Sequence, residues 1–321
     1  MKSSMFFAEK LGFGGSGRGY RGKREKGKNA QVIGHRGKGE MKLNRCFLLL
    51  ALLLVSGCGS SVRLVGLDSQ GDLELEGLAD RIRDERVICV GEVHDRLRDH
   101  ENQLAIITSL HGAGVELAVG LEMFQFRSQP VLDRWNDGSL GWPALKSVYE
   151  MNWKLPISMY GDILGYTGRR HIPLLALNIP QNIAARVARS GFSSLTAFER
   201  QGLPDTITCD ENLPQMVLLK KILAVHGTGI RFANFCEAQA LRDKTMALRI
   251  VEFLEKHPEK KVVVLAGIGH CAKTGIPAQI RQLSGLETMV ILPSVANQAL
   301  GRSVTELDGD YIIKTGGREI R

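Results

Sequence analysis

The sequence predicts an α/β fold with a mostly parallel central sheet flanked by helices, and three observations indicate it. Five short apolar runs lack the alternation of a half-exposed strand, which indicates strands buried on both faces. Helical segments separate these runs, and strand–helix alternation is typical of a parallel sheet. Aromatic residues are concentrated between the second and third runs, which predicts an aromatic-rich helical insertion there.

The apolar runs define the predicted strands, which are Arg86–Val90, Glu116–Leu121, Ile172–Leu177, Lys261–Ala266 and Thr288–Leu292, with Tyr311–Lys314 as a further edge strand. The predicted helices cover residues 97–111, 128–136, 159–169, 180–190, 210–226, 236–256 and 276–283. This order of elements predicts one α/β domain over residues 81–321.

The predicted insertion lies within residues 123–168. It holds all three tryptophans of the chain and three of the four tyrosines that follow residue 57. Two interpretations stay open at this point. The aromatic residues form either a satellite hydrophobic cluster or a platform for a flat apolar ligand.

Residues 41–57 have the three parts of a lipoprotein signal peptide. Lys42 and Arg45 form a short positive region, and Cys46–Val55 is an unbroken apolar run of ten residues. A run of that length is too short to span a bilayer, which takes about 20 residues, but it suits a signal peptide. Small residues then precede Cys58, as in a bacterial lipobox. We expect Cys58 to be the acylated first residue of the mature protein, which lipid alone would anchor.

The basic character of the chain belongs to the segment before Cys58. Residues 1–57 carry 12 of the 42 Lys and Arg but 3 of the 34 Asp and Glu, so the remainder carries 30 and 31. A near-neutral mature protein gives no electrostatic case for nucleic acid. We interpret residues 1–40 as a disordered basic leader from a misassigned start, and residues 58–80 as the lipidated cysteine and its tether.

The cysteines show no zinc-type spacing. Cys89 lies inside a predicted strand and Cys271 lies just after one, so both are expected to be buried thiols. Cys209 and Cys236 could form a disulfide in an exported protein.

Ionisable side chains follow several predicted strands. These residues are Glu92, His94, Glu122 and His270. Open α/β sheets bind ligands beyond the carboxyl ends of their strands, so the four side chains are expected to converge. A single such residue is commonly structural, but four in corresponding places favour a functional site.

Carboxylates together with imidazoles suit acid–base catalysis or a divalent metal, for which His100 is a further candidate ligand beside Glu92, His94 and His270. The sequence contains no HExxH, GxSxG or phosphate-loop motif, which excludes the enzyme classes that depend on them.

At these positions the chain resembles the ChaN-like haem-binding lipoproteins of the Tiki superfamily. The resemblance covers roughly residues 80–295, in the family's order. Its motifs are Gly91-Glu92-Val93-His94 with His100 and Gln103, Gly120-Leu121-Glu122-Met123-Phe124, Trp153 with Tyr160, Leu177-Asn178-Ile179-Pro180, Glu237-Ala238-Gln239-Ala240 with Asp243, Thr245, Met246 and Ala247, and Gly267-Ile268-Gly269-His270 followed by Gly275-Ile276-Pro277.

The resemblance implies haem or iron uptake, with haem bound through a tyrosine, a homodimer with paired haems, and delivery to a transport system. Tyr160 matches the family's tyrosine position, and Tyr149 and Tyr166 are alternatives. Tyrosinate is an established ligand of ferric haem, and a nearby cation would favour its ionised form. Candidate cations are Arg127, Arg169 and Arg170, and Trp153 would contact the porphyrin.

Haem binding is the favoured hypothesis, and an enzyme is the alternative. In the wider superfamily the paired GxxH motifs belong to metal-dependent or esterase-like enzymes, so the chain could be a metal-dependent hydrolase using Glu92, His94, Glu122 and His270. A third hypothesis is a non-catalytic envelope adaptor. Gly59 after the lipidated cysteine favours the outer over the inner membrane.

Overall fold

The computed structural model describes residues 62–68, 71–226 and 229–315. The predicted leader at residues 1–40, the signal peptide at residues 41–57 and the lipidation site Cys58 lie outside the described residues. In the described part of the chain, no helix combines the length and apolar character that a membrane crossing requires.

Strands and helices alternate along most of the described chain. The strands are β1 (Val62–Gly66), β2 (Leu73–Glu74), β3 (Val87–Glu92), β4 (Leu117–Gln125), β5 (Leu174–Asn178), β6 (Lys261–Gly267), β7 (Thr288–Leu292) and β8 (Tyr311–Thr315). The α-helices are α1 (Leu78–Arg81), α2 (Leu97–Gly112), α3 (Gln129–Asn136), α4 (Trp142–Asn152), α5 (Gly161–Arg170), α6 (Gln181–Ser190), α7 (Pro214–His226), α8 (Phe232–Lys256), α9 (Ile268–Cys271), α10 (Ile276–Ser284) and α11 (Ala296–Leu300).

The strands form one sheet in the order β2-β1-β8-β7-β3-β6-β4-β5. Every pairing among β3 to β8 is parallel, whereas β1 is antiparallel to β8 and β2 is antiparallel to β1. The predicted α/β class with a mostly parallel sheet is therefore confirmed, and the sheet is mixed because of the two added strands.

Two predictions at the ends of the domain differ from the structure. The tether predicted for residues 58–80 includes β1, which pairs with β8 over five residues, so the folded domain begins before residue 81. Strand β8 was expected at an edge, but it lies between β1 and β7. The tether prediction failed because β1 has only five residues and the next element along the chain is the short strand β2, so β1 lacks the strand–helix alternation that revealed the others.

Both faces of the central strands are buried, as the unbroken apolar runs predict. Ile88 and Val90 of β3 point into one core with α2 and the aromatic insertion. Val87 and Cys89 point into the other core, with α8, α10 and α11. Because side chains alternate between the faces of a strand, a strand covered on both sides must be apolar at every position.

The insertion between β4 and β5 is helical, as predicted, and consists mainly of α3, α4 and α5. Helix α4 was not predicted; it begins at Trp142 with Pro143 in its first turn, a position that proline favours. Tyr149 and Tyr160 belong to the main core against the sheet, so these two aromatic side chains form neither a separate cluster nor an exposed platform.

The four cysteines of the described chain form two disulfides. Cys209 pairs with Cys236, as the sequence analysis allowed. Cys89 pairs with Cys271, so the expectation of two buried free thiols was wrong. The two residues are 182 positions apart, and only the packing of α9 against β3 places their Cα atoms 5.6 Å apart.

Candidate functional site

The four ionisable residues predicted to converge lie together at the carboxyl ends of adjacent parallel strands. Glu92 is the last residue of β3, Glu122 lies near the end of β4, and His270 belongs to α9, which follows β6 directly. His94 follows β3 by two residues, and its Nδ1 lies 2.6 Å from Glu92 Oε1. The convergence follows from topology, since β3, β6 and β4 are neighbours in the sheet.

Glu92 is the centre of the first half of the site. Its carboxylate is 1% exposed and accepts hydrogen bonds from Tyr160 Oη and, over 2.8 Å, from Gln103 Nε2. Burial alone would raise its pKa, but hydrogen bonds from His100 and His94 outweigh burial and hold the pKa well below its usual range. Glu92 is therefore a buried, ionised carboxylate that organises the side chains around it.

His100 is surrounded by hydrogen-bond acceptors. Its Nδ1 lies 3.2 Å from Glu92 Oε2 and 3.3 Å from Gln103 Oε1, and its Nε2 lies 3.1 Å from the carbonyl oxygen of His94. Only the charged imidazolium can donate from both ring nitrogens. Burial lowers the pKa of His100, but its interaction with Glu92 prevails, so the pKa is raised.

This raised pKa predicts a loss of stability in alkaline solution. The contribution of His100 is fully present below its unfolded-state pKa of 6.5 and is lost as the pH rises through the higher folded-state pKa. We expect the free energy of unfolding, measured with urea from about pH 6 to about pH 9, to fall less steeply in His100→Asn than in the wild type. His94, whose pKa is also raised, contributes equally to both proteins, so parallel curves would contradict the prediction.

Glu122 is the centre of the second half. Its Oε2 accepts from the backbone N–H of Gly267 over 2.7 Å, and its Oε1 accepts from Arg242 over 2.9 Å. Burial would raise its pKa, but the positive charges of His270, His94 and Arg242 lower it below its usual value. Arg242 also donates to Asn178 Oδ1 over 3.2 Å, which joins β5 to the network.

His270 connects Glu122 to a further carboxylate. Its Nδ1 lies 2.5 Å from Asp243 Oδ1, and its Nε2 lies 3.6 Å from Glu122 Oε1. Burial raises the pKa of Asp243, while the charge of His270 opposes this effect. A carboxylate that orients one ring nitrogen while the other faces the reacting groups is a common arrangement for a general acid or base.

Gly267 lets the two halves meet. A Cβ atom there would lie 2.8 Å from His94 Nε2 and 3.6 Å from Glu122 Oε2, so a side chain would displace the imidazole. The Trp153 ring borders His94 on another side, with 5.0 Å between ring centroids and an edge-on orientation. The side chains of His94 and His270 are 23% and 11% exposed, so solvent reaches the site through these histidines.

The metal-site prediction gains no support from this geometry. Among residues 62–68, 71–226 and 229–315, no group of three or more His, Cys, Asp or Glu side chains is placed to hold a metal ion. The candidate ligands Glu92, His94, His100 and His270 instead contact other protein groups. Their arrangement suits proton transfer.

The tyrosine candidates for haem ligation differ sharply in exposure. Tyr160, the residue favoured by the resemblance, is 1% exposed, and burial followed by the charge of Glu92 raises its pKa well above the ordinary value. An adjacent carboxylate disfavours the tyrosinate that iron requires. Tyr149 is fully buried, with its pKa raised by burial. Neither residue, as placed here, fits the role of a haem ligand.

Tyr166 is the partly exposed candidate. Its hydroxyl lies 3.0 Å from His111 Nδ1, and the guanidinium carbon of Arg170 lies 5.9 Å from the centre of its ring. Arg169 is exposed on the same helix, α5. Tyr166 therefore has a proton acceptor in His111 and a nearby cation in Arg170, which was one of the cations predicted from the sequence.

Sequence reasoning missed Arg242 entirely and included Asp243 only through the resemblance. Both lie within α8, a helix of 25 residues with many polar side chains, none of which the sequence distinguishes as a site residue. No local pattern marks the turn of that helix that meets the sheet edge. His111, at the opposite end of α2 from His100, was also missed, because its role depends on the packing of α5.

Comparison with known families decides the relationship. Residues 78–280 match the family described as haem-binding uptake, Tiki superfamily, ChaN. The chain belongs to this ChaN family. The match covers the sheet from β3 to β6, the insertion and both halves of the site, so the resemblance inferred from the motifs is confirmed.

The chain is similar to several solved structures. The structure described as cofacial heme binding to ChaN of Campylobacter jejuni has a TM-score of 0.62 and 20% sequence identity, covering 81% of this chain and 98% of that one. The structure of the type III effector HopBA1 has a TM-score of 0.44 and 14% sequence identity, and the match covers 80% of this chain and 97% of that one. A mutant of the erythromycin esterase EreC also has a TM-score of 0.44 and 14% sequence identity, and the match covers 73% of this chain and 76% of that one. A search of curated proteins found no match.

Proposed function

We propose that this protein is a haem-binding lipoprotein of the bacterial cell envelope that serves haem or iron uptake, and that Tyr166 ligates the haem iron. The observation that supports Tyr166 as the ligand is the exposure of the tyrosine side chains. Among the described tyrosines, Tyr149, Tyr160 and Tyr311 are at most 2% exposed, whereas Tyr166 is partly exposed. Haem iron can approach a phenol oxygen only where the side chain is accessible.

The neighbours of Tyr166 support ligation. With its proton on Nε2, His111 offers the Nδ1 lone pair to the phenol and can accept the proton that tyrosine must release. Arg170 lies beside the ring, where its charge stabilises a phenolate. When bound, haem would supply the ferric iron that takes the phenolate oxygen. Arg169 and Arg170 could pair with the haem propionates.

An envelope location is supported by two independent features. Disulfides persist in oxidising compartments, and the described chain has two of them. The signal-peptide and lipobox pattern before Cys58 indicates export and lipid attachment. We extend the proposal to an outer-membrane anchor, a homodimer and delivery to a transport system, on the basis of Gly59 and the family relationship.

A hemin titration tests the proposal. We expect the chain without residues 1–57 to give a Soret band on adding hemin, and Tyr166→Phe to weaken the affinity at least tenfold because the ligand oxygen is removed. Tyr160→Phe is the matched control and is expected to retain binding. A flat titration of the wild type would contradict haem binding. Loss of binding in Tyr160→Phe alone would contradict Tyr166 as the ligand.

The site at the strand ends favours a second candidate function, hydrolysis by acid–base catalysis. The observation behind it is that His270 lies between two carboxylates. Asp243 contacts Nδ1 of His270 and orients the imidazole, while Nε2 of His270 faces Glu122 and the site. His270 would act as the general base toward a water molecule, and Arg242 and the N–H of Gly267 hold Glu122 in place. No metal is required for these steps.

Ester hydrolysis by the purified protein tests this candidate. General acid–base groups typically contribute about 10²–10⁴-fold to rate, so His270→Asn should lower kcat/KM for an active ester at least a hundredfold. Tyr166→Phe should leave the rate unchanged, because Tyr166 contacts His111 at the end of α2 opposite His100. Equal rates in the wild type and His270→Asn would reject the hydrolase and leave the haem proposal standing.

A further inference from the structure

Strand β1 begins at the edge of the sheet that carries the strand-end site. This carboxyl edge is where the parallel strands β3, β4 and β6 end, and the opposite amino edge is where they begin. Strand β1 is antiparallel to β8, which is parallel to β7 and through it to β3. Val62, the first residue of β1, therefore lies at the carboxyl edge.

The strand register places Val62 close to the site. Following the paired residues from β1 through β8 and β7 aligns Gly66 with Val90 of β3. Glu92 lies two residues beyond Val90, and Val62 lies four residues from Gly66 in the same direction. At about 3.3 Å per residue, Val62 is about 7 Å farther out than Glu92. Three strand spacings of about 4.8 Å separate β1 from β3, so the lateral distance is about 14 Å.

The length of chain between Val62 and the proposed lipidation site limits how the domain can face a membrane. Cys58 is four positions before Val62, and four extended residues reach at most about 14 Å. With the acyl chains of Cys58 in the bilayer, Val62 stays within that distance of the lipid surface. The amino edge lies farther away by the length of β3, which is about 20 Å for its six residues. The carboxyl edge is therefore the one held beside the lipid.

An exposed apolar side chain lies at the same edge. Leu97 is the first residue of α2, three positions after His94, and it is 52% exposed. Arg98 follows it, and both partners of its ion pair with Glu101 are exposed, so its guanidinium can turn to a lipid phosphate at little cost. The edge thus offers an apolar contact beside a cation.

We propose that the carboxyl edge of the sheet docks on the surface of a phospholipid bilayer, with Leu97 entering the headgroup layer. This orientation rests on the proposed lipidation of Cys58 and goes beyond it. The exposed parts of His94 and His270 then face the headgroups, so an amphiphile of the bilayer can reach the strand-end site. Tyr166 contacts the last turn of α2, a helix of 16 residues, and remains on the aqueous side.

Amide hydrogen exchange tests the orientation. The lipidated protein on vesicles of phosphatidylethanolamine and phosphatidylglycerol is compared with the lipid-free chain from residue 59 in solution. The first N–H groups of a helix have no intrahelical acceptor, so amides at the start of α2 report contact sensitively. Exchange within residues 93–98 is expected to slow about fivefold on vesicles, because about half of a leucine side chain leaves water. Residues 285–287, at the amino edge, should exchange equally in both samples.

Two leucine variants separate docking from tethering. Leu97→Glu is expected to abolish the slower exchange within residues 93–98. Leu283→Glu is the matched control, because Leu283 is also exposed, at 38%, but lies at the amino edge near the end of α10. It should keep the slower exchange, and lipid should hold both variants on the vesicles.

The possible failures are distinguishable. In a protein whose mass shows acylated Cys58, three results would overturn the orientation and leave the lipoprotein proposal standing. They are slower exchange within residues 285–287, unchanged exchange within residues 93–98, and slower exchange that persists in Leu97→Glu. A mass without acyl groups on Cys58 would contradict the orientation and the lipid anchor together.

Discussion

Arg242→Ala is expected to lower the free energy of unfolding by about 3–5 kcal/mol, since it removes one partner of a buried ion pair. The Glu122 side chain is 1% exposed and that of Arg242 is 14% exposed. Without the guanidinium, Glu122 keeps its hydrogen bond from Gly267 and keeps His270 Nε2 at 3.6 Å, but it loses the hydrogen bond that Arg242 donates to Oε1, and Asn178 loses a donor as well. Urea denaturation followed by circular dichroism measures the change.

A surface pair of the same type is the matched control. Arg186 and Glu199 are 2.8 Å apart, close to the 2.9 Å between Arg242 and Glu122, but Arg186 is 45% exposed. Exposed pairs contribute about 0–1 kcal/mol, so Arg186→Ala should change stability by no more than that. If Arg186→Ala and Arg242→Ala lowered the free energy of unfolding equally, the burial of the Arg242–Glu122 pair would make no difference to stability and the prediction would be contradicted.

Removal of the Cys89–Cys271 disulfide is expected to cost about 5 kcal/mol, from the entropy of the closed loop. The loop spans 182 residues, so the bond strongly restricts the unfolded chain. Both cysteines are fully buried, and Cys271 follows His270 directly, so the bond also ties α9 to β3 beside the site. The double variant Cys89→Ala with Cys271→Ala, compared with the wild type in urea, measures the effect.

The other disulfide supplies the comparison. Cys209 and Cys236 close a loop of 27 residues, for which the same model gives about 3.5 kcal/mol. The double variant Cys209→Ala with Cys236→Ala should therefore lose less stability. The reverse order, with the shorter loop mattering more, would contradict the chain-entropy explanation for this pair of bonds.

The order of strands and helices could be read from the sequence because its signals are local. The run from Lys261 to Ala266 predicts β6 whatever its neighbours are, since β-branched residues and a following glycine suffice. Strand β1 and helix α4 could not be read in this way. Strand β1 has five residues and buries only Leu64, and α4 buries only Leu145, Tyr149 and Asn152 along one narrow face.

The candidate site was predictable in part. Glu92, His94, Glu122 and His270 could be grouped because parallel strands place their carboxyl ends at one edge. Their partners could not be named, since Arg242 is 120 residues from Glu122 and Tyr160 is 68 residues from Glu92. The exposure of the three candidate tyrosines could not be predicted either, because it depends on how the insertion packs against the sheet.

The sequence by itself determined the α/β class, the membership of the ChaN family and the strand-end positions of the ionisable residues. These properties follow from short apolar runs and from turn residues, whose effects extend over only a few positions in the sequence. Only the tertiary structure decided that Tyr160 is hydrogen-bonded to Glu92, that Tyr166 is partly exposed beside His111, and that Cys89 is bonded to Cys271. Those outcomes depend on contacts between distant segments, whose free energies come from packing and desolvation that no local pattern encodes.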